Sequence, residues 1–255
     1  MDVLRTVNIT RGNDEKFQQI TDKVIREYSL TIIFNQQELV TLLCSPMHVD
    51  ELAVGYIYNE GLIRDRDDIS KIEYIDNHIC ITTSNETAIT LKKQHKIITV
   101  SSGTILSKPN IKSLPVNTST NKVLYSEIYQ MADILTKSSK LFDDTGGVHS
   151  ALLSSCDIEF TVFREDIGRH NAVDKILGFM ILNNITPEKK VLITSGRVSS
   201  EILLKIARSE IPVLVSRSAP TDVAIDLADK LGITLIGFVR GKRMNIYTHV
   251  ERIQL

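Results

Sequence analysis

The chain has 255 residues with 42% hydrophobic and 24% charged side chains, the balance of a globular protein rather than a disordered one. Thirty Lys and Arg against 31 Asp and Glu leave a net charge of −1, so no bulk attraction to nucleic acid or anionic membranes is implied. No apolar run approaches the roughly 20 residues of a spanning helix, and Met1–Thr6 carries no apolar signal region. Three scattered cysteines, Cys44, Cys80 and Cys156, form no C-x-x-C pair, so a reducing cytoplasm is the expected compartment.

Residues 1–27 are polar and mixed and read as a loose lead-in with one edge strand. Leu30–Phe34 and Glu38–Cys44 are β-rich runs around Asn35-Gln36-Gln37, a hairpin. Ser45 can cap and Pro46 suits a first turn, so a helix is expected to open there, bury Leu52, Tyr56 and Ile57, and stop at Gly61. Residues 71–100 alternate and are rich in Ile and Thr, the pattern of a small antiparallel meander. Ser101–Asn121, with Gly103, Pro109 and Pro115, reads as the longest loop. Val123–Phe142 then reads as one helix with Leu124, Ile128, Met131, Ile134 and Leu135 on a single face.

The later half changes rhythm. Strands Val148–Ser155 and Ile158–Phe163 flank a Cys156-Asp157 turn, and a helix entered near Asp166 buries Val173, Ile176, Leu177, Met180 and Ile181. Strand Lys190–Thr194, helix Ser199–Ser209, strand Val213–Val215, helix Pro220–Leu231 and strands Thr234–Phe238 and Asn245–Thr248 follow. Near-continuous apolar strands alternating with helices predict an α/β layer with a largely parallel region. The division falls near residue 120. An N-terminal mostly β (α+β) subdomain over 1–120, ending in loop 101–121, precedes an α/β domain over 121–255.

Three successive strands of that domain run into basic residues: Ser195-Gly196-Arg197, Ser216-Arg217-Ser218 and Val239-Arg240-Gly241-Lys242-Arg243. Ligands of open α/β sheets bind outside the carboxyl ends of the strands, where helix N-termini add free N–H groups. The arrangement predicts a polyanion site, most simply for a nucleotide pyrophosphate. The competing reading is that the arginines cap carbonyls and form surface ion pairs; three at equivalent strand ends favour a ligand.

A second constellation is Arg164–Lys175, where Glu165 and Asp166 suit a helix N-terminus and His170 and Asp174, four apart, are spaced to pair. Gly168 in the first turn suggests a close approach to the backbone; a capped helix with a solvated polar face explains the segment as well. His149, after Gly146-Gly147-Val148, is a third candidate. The chain has no G-x-x-x-x-G-K-[ST], no G-x-G-x-x-G and no H-E-x-x-H, and a catalytic zinc is not expected.

These segments resemble the formate dehydrogenase accessory sulfurtransferase family (FdhD/NarQ). The matching blocks are Cys44-Ser45-Pro46, Glu51–Gly55, Glu60-Gly61, Gly146–His149, Arg164–Lys175, Ser195–Glu201, Ser216–Thr221, Gly237–Gly241, Tyr247–His249 and Glu251-Arg252, in family order across residues 28–252. The resemblance implies a cytoplasmic homodimer whose C-terminal half is cytidine-deaminase-like without the zinc ligands. It implies a sulfur carrier that accepts a persulfide from a cysteine desulfurase. The sulfur passes to the molybdenum cofactor, bis-molybdopterin guanine dinucleotide, which then enters the formate dehydrogenase apoenzyme. Nucleic acid, membrane and a protein-held metal have no part in this role. The resemblance places cofactor binding on Phe238, Val239, Arg240, Gly241, Lys242 and Arg243, one of the basic strand ends; the strand-end reading adds Arg197 and Arg217, with Asp166 and His170 of the helix entry expected to complete the pocket.

One departure bears on mechanism. The family's persulfide cysteine sits in the long loop, in a C-G-x-C or C-C-G string, and here that string is Ser101-Ser102-Gly103, with Ser102 at the carrier position. A persulfide requires a thiol that ionises near neutral pH, and serine offers none. Three readings stay open: a serine-substituted chain, a natural member working without the relay, or a member using another cysteine. Cys44, just before a helix N-terminus, is the substitute to weigh, although packing at a strand end suits it better. The alternative function is a non-catalytic chaperone that binds the molybdenum cofactor.

Overall fold

The computed structural model describes residues 2–84, 96–98 and 114–255. Where one edge strand was expected, β1 (Leu4–Gly12) and β2 (Phe17–Ile25) make an antiparallel ribbon of their own. The sequence signal for its turn is Asn13, whose Oδ1 accepts the N–H groups of Glu15 and Lys16. The expected hairpin follows as β3 (Tyr28–Phe34) and β4 (Gln37–Cys44), closed by Asn35 and Gln36 at φ 46° and 65°. The helix predicted from Ser45 starts later, as α1 (Val49–Asn59), because Ser45 is engaged elsewhere, as described below.

Strands β5 (Ile69–Ile75), β6 (His78–Thr83) and β7 (Lys96–Ile98) complete a five-stranded sheet in the order β5-β6-β3-β4-β7. Only β5 and β6 pair as the antiparallel meander predicted; β6 runs parallel to β3 and β7 parallel to β4. The crossover through α1 carries the chain back across the sheet, so later strands return alongside earlier ones. Residues 85–95 and 99–113, including Ser101, Ser102 and Gly103, lie outside the described residues.

The predicted Val123–Phe142 helix is three elements: β8 (Val123–Leu124), α2 (Tyr125–Ser138) and α3 (Lys140–Thr145). The break falls at Ser139, whose hydroxyl donates to Glu165 Oε1 at 2.5 Å while Glu165 also accepts the N–H groups of Leu141 and Phe142. Then come β9 (His149–Ser155), β10 (Thr161–Asp166), α4 (Arg169–Leu182), β11 (Lys190–Thr194), α5 (Ser200–Arg208), β12 (Val213–Ser216), α6 (Asp222–Lys230), β13 (Thr234–Arg240), β14 (Arg243–Ile246) and β15 (Ile253–Gln254). β10 starts three residues later than predicted because the turn runs from Ser155 to Phe160, with Ile158 at φ 63°.

Strands β10-β9-β11-β12-β13-β14 form one sheet, parallel across β11, β12 and β13 and antiparallel at its flanks. Alternation sorts its side chains. Val191, Ile193, Val213, Val215 and Ile236 pack with Met131 and Leu135 of α2, whereas Leu192, Leu214 and Leu235 pack with α4, α5 and α6 on the other face. The five-stranded sheet has a separate core of Leu30, Ile32, Val40, Leu42, Leu52 and Ile79. Among the described residues no helix is long and apolar enough to cross a membrane.

Helices α1 and α4 join the two halves at a glycine crossing. A Cβ on Gly55 would stand 1.9 Å from the Asp174 carbonyl oxygen, and one on Gly178 would stand 1.8 Å from that of Glu51. Backbone fills the space on both sides, so no rotamer change relieves the clash. Gly178→Ala is therefore expected to cost at least about 1–3 kcal/mol, read as a lowered urea midpoint; an unchanged midpoint would contradict this packing.

Candidate functional site

β9 runs antiparallel to β11, so its first residues lie beside the carboxyl ends of β11, β12 and β13. There a cavity of about 530 Å³ opens, lined by His149, Ser195, Arg217, Arg240, Ile167 and Phe142 among others. Arg240 Nε donates to the Arg217 carbonyl at 3.3 Å, tying the ends of β12 and β13 together. Ser195 Oγ accepts the Ser150 N–H at 2.9 Å and lies 3.3 Å from His149 Nδ1. The Ser195 hydroxyl and the imidazole thus share one contact, whose direction the imidazole tautomer sets. Burial, reinforced by Arg169, holds the His149 pKa below its usual value, so the imidazole is neutral at physiological pH.

Beneath this rim lies a set of buried ion pairs. Asp166, the last residue of β10 and 0% exposed, meets Lys175 Nζ at 2.7 Å and accepts N–H groups from Ser45, Gly168 and the Asn171 amide. Lys175, also 0% exposed, donates further to the Glu165 and Ser45 carbonyls. Ser45 Oγ accepts the Ile167 N–H, which is why Ser45 does not cap α1. Asp174 takes Lys205 Nζ at 2.5 and 2.6 Å and the Asn59 amide at 2.7 Å. Arg164 grips both oxygens of Glu51 and lies over the Phe179 ring.

The predicted residues therefore divide. Arg217 and Arg240 share the cavity with His149; Arg197 is exposed and does not line it. Phe238, at φ 55° on an irregular stretch of β13, donates its N–H to the Ser218 carbonyl. Val239 turns its side chain into the α2 core and is 0% exposed, so only its backbone is near the rim. Gly241, Lys242 and Arg243 form the exposed tip of the β13–β14 hairpin, held by Tyr129 Oη donating to the Lys242 carbonyl.

Asp166 is a correction: its carboxylate faces inward and organises the loop rather than meeting a ligand. Gly168 precedes α4 instead of lying in its first turn, because Asp166 captures its N–H. His170 does not pair with Asp174, whose oxygens are taken by Lys205 and Asn59. It is 5% exposed, with neither ring nitrogen hydrogen-bonded and Nε2 3.7 Å from Glu201. Cys44 is the last residue of β4 and 0% exposed. Burial, then Asp166, pushes its thiol up to about 12, so it offers no thiolate. Phe142, Asp143, Ser139 and Ser150 also line the cavity, and the sequence reading did not single them out; the Gly146-Gly147 pair was the nearest signal.

Burial, then Lys205 and Arg169, lowers His170 to about 3 from its ordinary 6.5. The unfolded chain thus takes up this proton first, and stability falls as pH drops from about 6.5 towards 3. His170→Gln is expected to flatten the dependence of the urea midpoint on pH between neutrality and pH 4; an equally steep loss would assign the acid sensitivity elsewhere.

Fold and cavity together define a three-layer α/β protein with a smaller sheet packed against it and its cavity at the carboxyl ends of parallel strands. The chain belongs to the FdhD/NarQ family, whose model matches residues 25–254. It is 37% identical to a sulfur carrier protein FdhD of Listeria innocua, over 99% of this chain and 100% of that one. It is 39% identical to that of Staphylococcus haemolyticus, over 99% and 98%, and 36% identical to that of Bacillus subtilis, over 97% and 96%. Among solved structures it matches one described as a formate dehydrogenase accessory protein from Desulfotalea psychrophila. The TM-score is 0.83 at 25% identity, covering 99% of this chain and 100% of that one.

Proposed function

We propose that this chain is a formate dehydrogenase accessory protein that binds bis-molybdopterin guanine dinucleotide as its cargo. In this reading the family's sulfur-carrier chemistry, with a cysteine desulfurase as donor, is directed at that cargo before it passes to the apoenzyme. The observation that carries the proposal is the convergence of Arg217 and Arg240 with His149 and Ser195 in one strand-end cavity. Its volume of about 530 Å³ suits one nucleotide arm rather than the whole cofactor. The guanidinium groups neutralise the pyrophosphate, Ser195 and neutral His149 supply hydrogen bonds, and the Gly241–Arg243 tip extends the basic rim. The finer frame belongs to the same proposal: a cytidine-deaminase-like C-terminal layer, a division near residue 120, and a cytoplasmic homodimer whose second copy takes the other arm.

Arg217→Ala and Arg240→Ala should each weaken GDP binding by roughly 10- to 100-fold, the loss of a charge-assisted contact. Titration calorimetry measures this, and parent-like affinity in both variants would remove the assignment.

The cysteines favour a second reading, a chaperone that holds and delivers the cofactor without a loop persulfide. Cys44 is buried with its thiol at about 12, burial also raises Cys156, and the carrier position holds Ser102. After incubation with a cysteine desulfurase and cysteine, cyanide should release no sulfur from this chain, and Ser102→Cys should gain cyanide-labile sulfur. Release from the unaltered chain would restore the relay.

A further inference from the structure

The two ends of the cavity differ in chemistry. Arg217 and Arg240 follow the neighbouring strands β12 and β13, whereas Phe142 and Asp143 come from α3 and reach the cavity where Gly146-Gly147 leads into β9. β9 stands two strands from β12 and three from β13, roughly 10–14 Å at ordinary strand spacing, so the chain enters the cavity wall from a different strand end than the arginines do. Among the described residues, neither arginine is in an ion pair, and Asp143 has neither an ion pair nor a side-chain hydrogen bond. Two cations and a carboxylate thus share one hollow without neutralising each other.

The α3 turn that carries Asp143 is held in place. Its N–H donates to the Ser139 carbonyl at 3.1 Å, and Glu165 fixes the N–H groups of the two preceding residues. The Phe142 ring is 52% exposed at the same lip, and nothing stands within 4 Å of where a Cβ on Gly146 would be. A flat ring therefore has an aromatic wall, open backbone and, on an anchored turn, an unpaired carboxylate at this end.

Building on the nucleotide reading above, we propose that Asp143 is the residue that selects the base. Its two oxygens accept from the adjacent ring N–H and exocyclic amine of a 2-aminopyrimidin-4-one, the edge common to guanine and pterin, with the ring against Phe142. A carboxylate is acceptor-only and matches two parallel donors. Hypoxanthine offers one donor at that edge and adenine offers none, so the site rejects both.

The test is calorimetric binding of GDP, IDP, ADP, neopterin triphosphate and pyrophosphate to the full chain, Asp143→Asn and Arg240→Ala. The parent should prefer GDP to IDP and ADP. Asp143→Asn should lose roughly 10- to 100-fold in GDP affinity and its preference over IDP, while pyrophosphate, lacking a ring, loses nothing. A larger loss for neopterin triphosphate than for GDP would place the pterin, not the guanine, against Asp143. If Asp143→Asn keeps both affinities and the GDP preference while Arg240→Ala loses GDP, the base-selecting role is overturned and the cavity reading stands. If the parent binds no nucleotide, both fall.

Discussion

Everything at the strand ends rests on one buried ion pair. Lys175 and Asp166 are both fully enclosed, and an enclosed charge costs several kcal/mol unless its partner and its remaining hydrogen bonds are all supplied. Here they are supplied by the N–H and carbonyl of Ser45, more than a hundred residues away, together with the nearby Glu165 carbonyl, Gly168 N–H and Asn171 amide. The end of β4, the end of β10 and the start of α4 must therefore arrive together. Satisfying Lys175 assembles the loop that brings Ile167 to the cavity wall.

The other two pairs extend the same logic along the junction. Asp174 with Lys205 and Asn59 ties α1, α4 and α5 together, and Arg164 with Glu51 ties β10 to α1. Each pair is nearly dry, so removing one member would strand a charge. The density of charged residues between Arg164 and Lys175 thus has an internal use, and the surface left for a ligand is supplied by other strands.

How far this was legible follows from which interactions are local. β3, β4, β11, β12 and β13 were readable because their apolar runs face a core on both sides or alternate cleanly, and helices α5 and α6 because Ser199 and Thr221 cap them as their positions suggest. The misreadings share one cause. Ser45, Gly168 and Ser139 are each drawn off by another hydrogen bond: the Ile167 N–H takes Ser45 Oγ, Glu165 takes the Ser139 hydroxyl, and Asp166, two residues before Gly168, takes its N–H. His170 and Asp174 have helical pairing distance, but the Lys205 amine outcompetes a neutral imidazole. The basic strand ends were foreseeable from topology; Asp143 was not, because its place in the cavity depends on where α2 ends.

The glycine crossing of α1 and α4 carries a mechanical corollary. Because main chain rests on main chain there, sliding either helix by a turn would bring a side-chain-bearing residue into a gap that admits none. The joint between the halves is thereby locked in register. The two sheets on either side of that joint are carried as parts of one stiff frame.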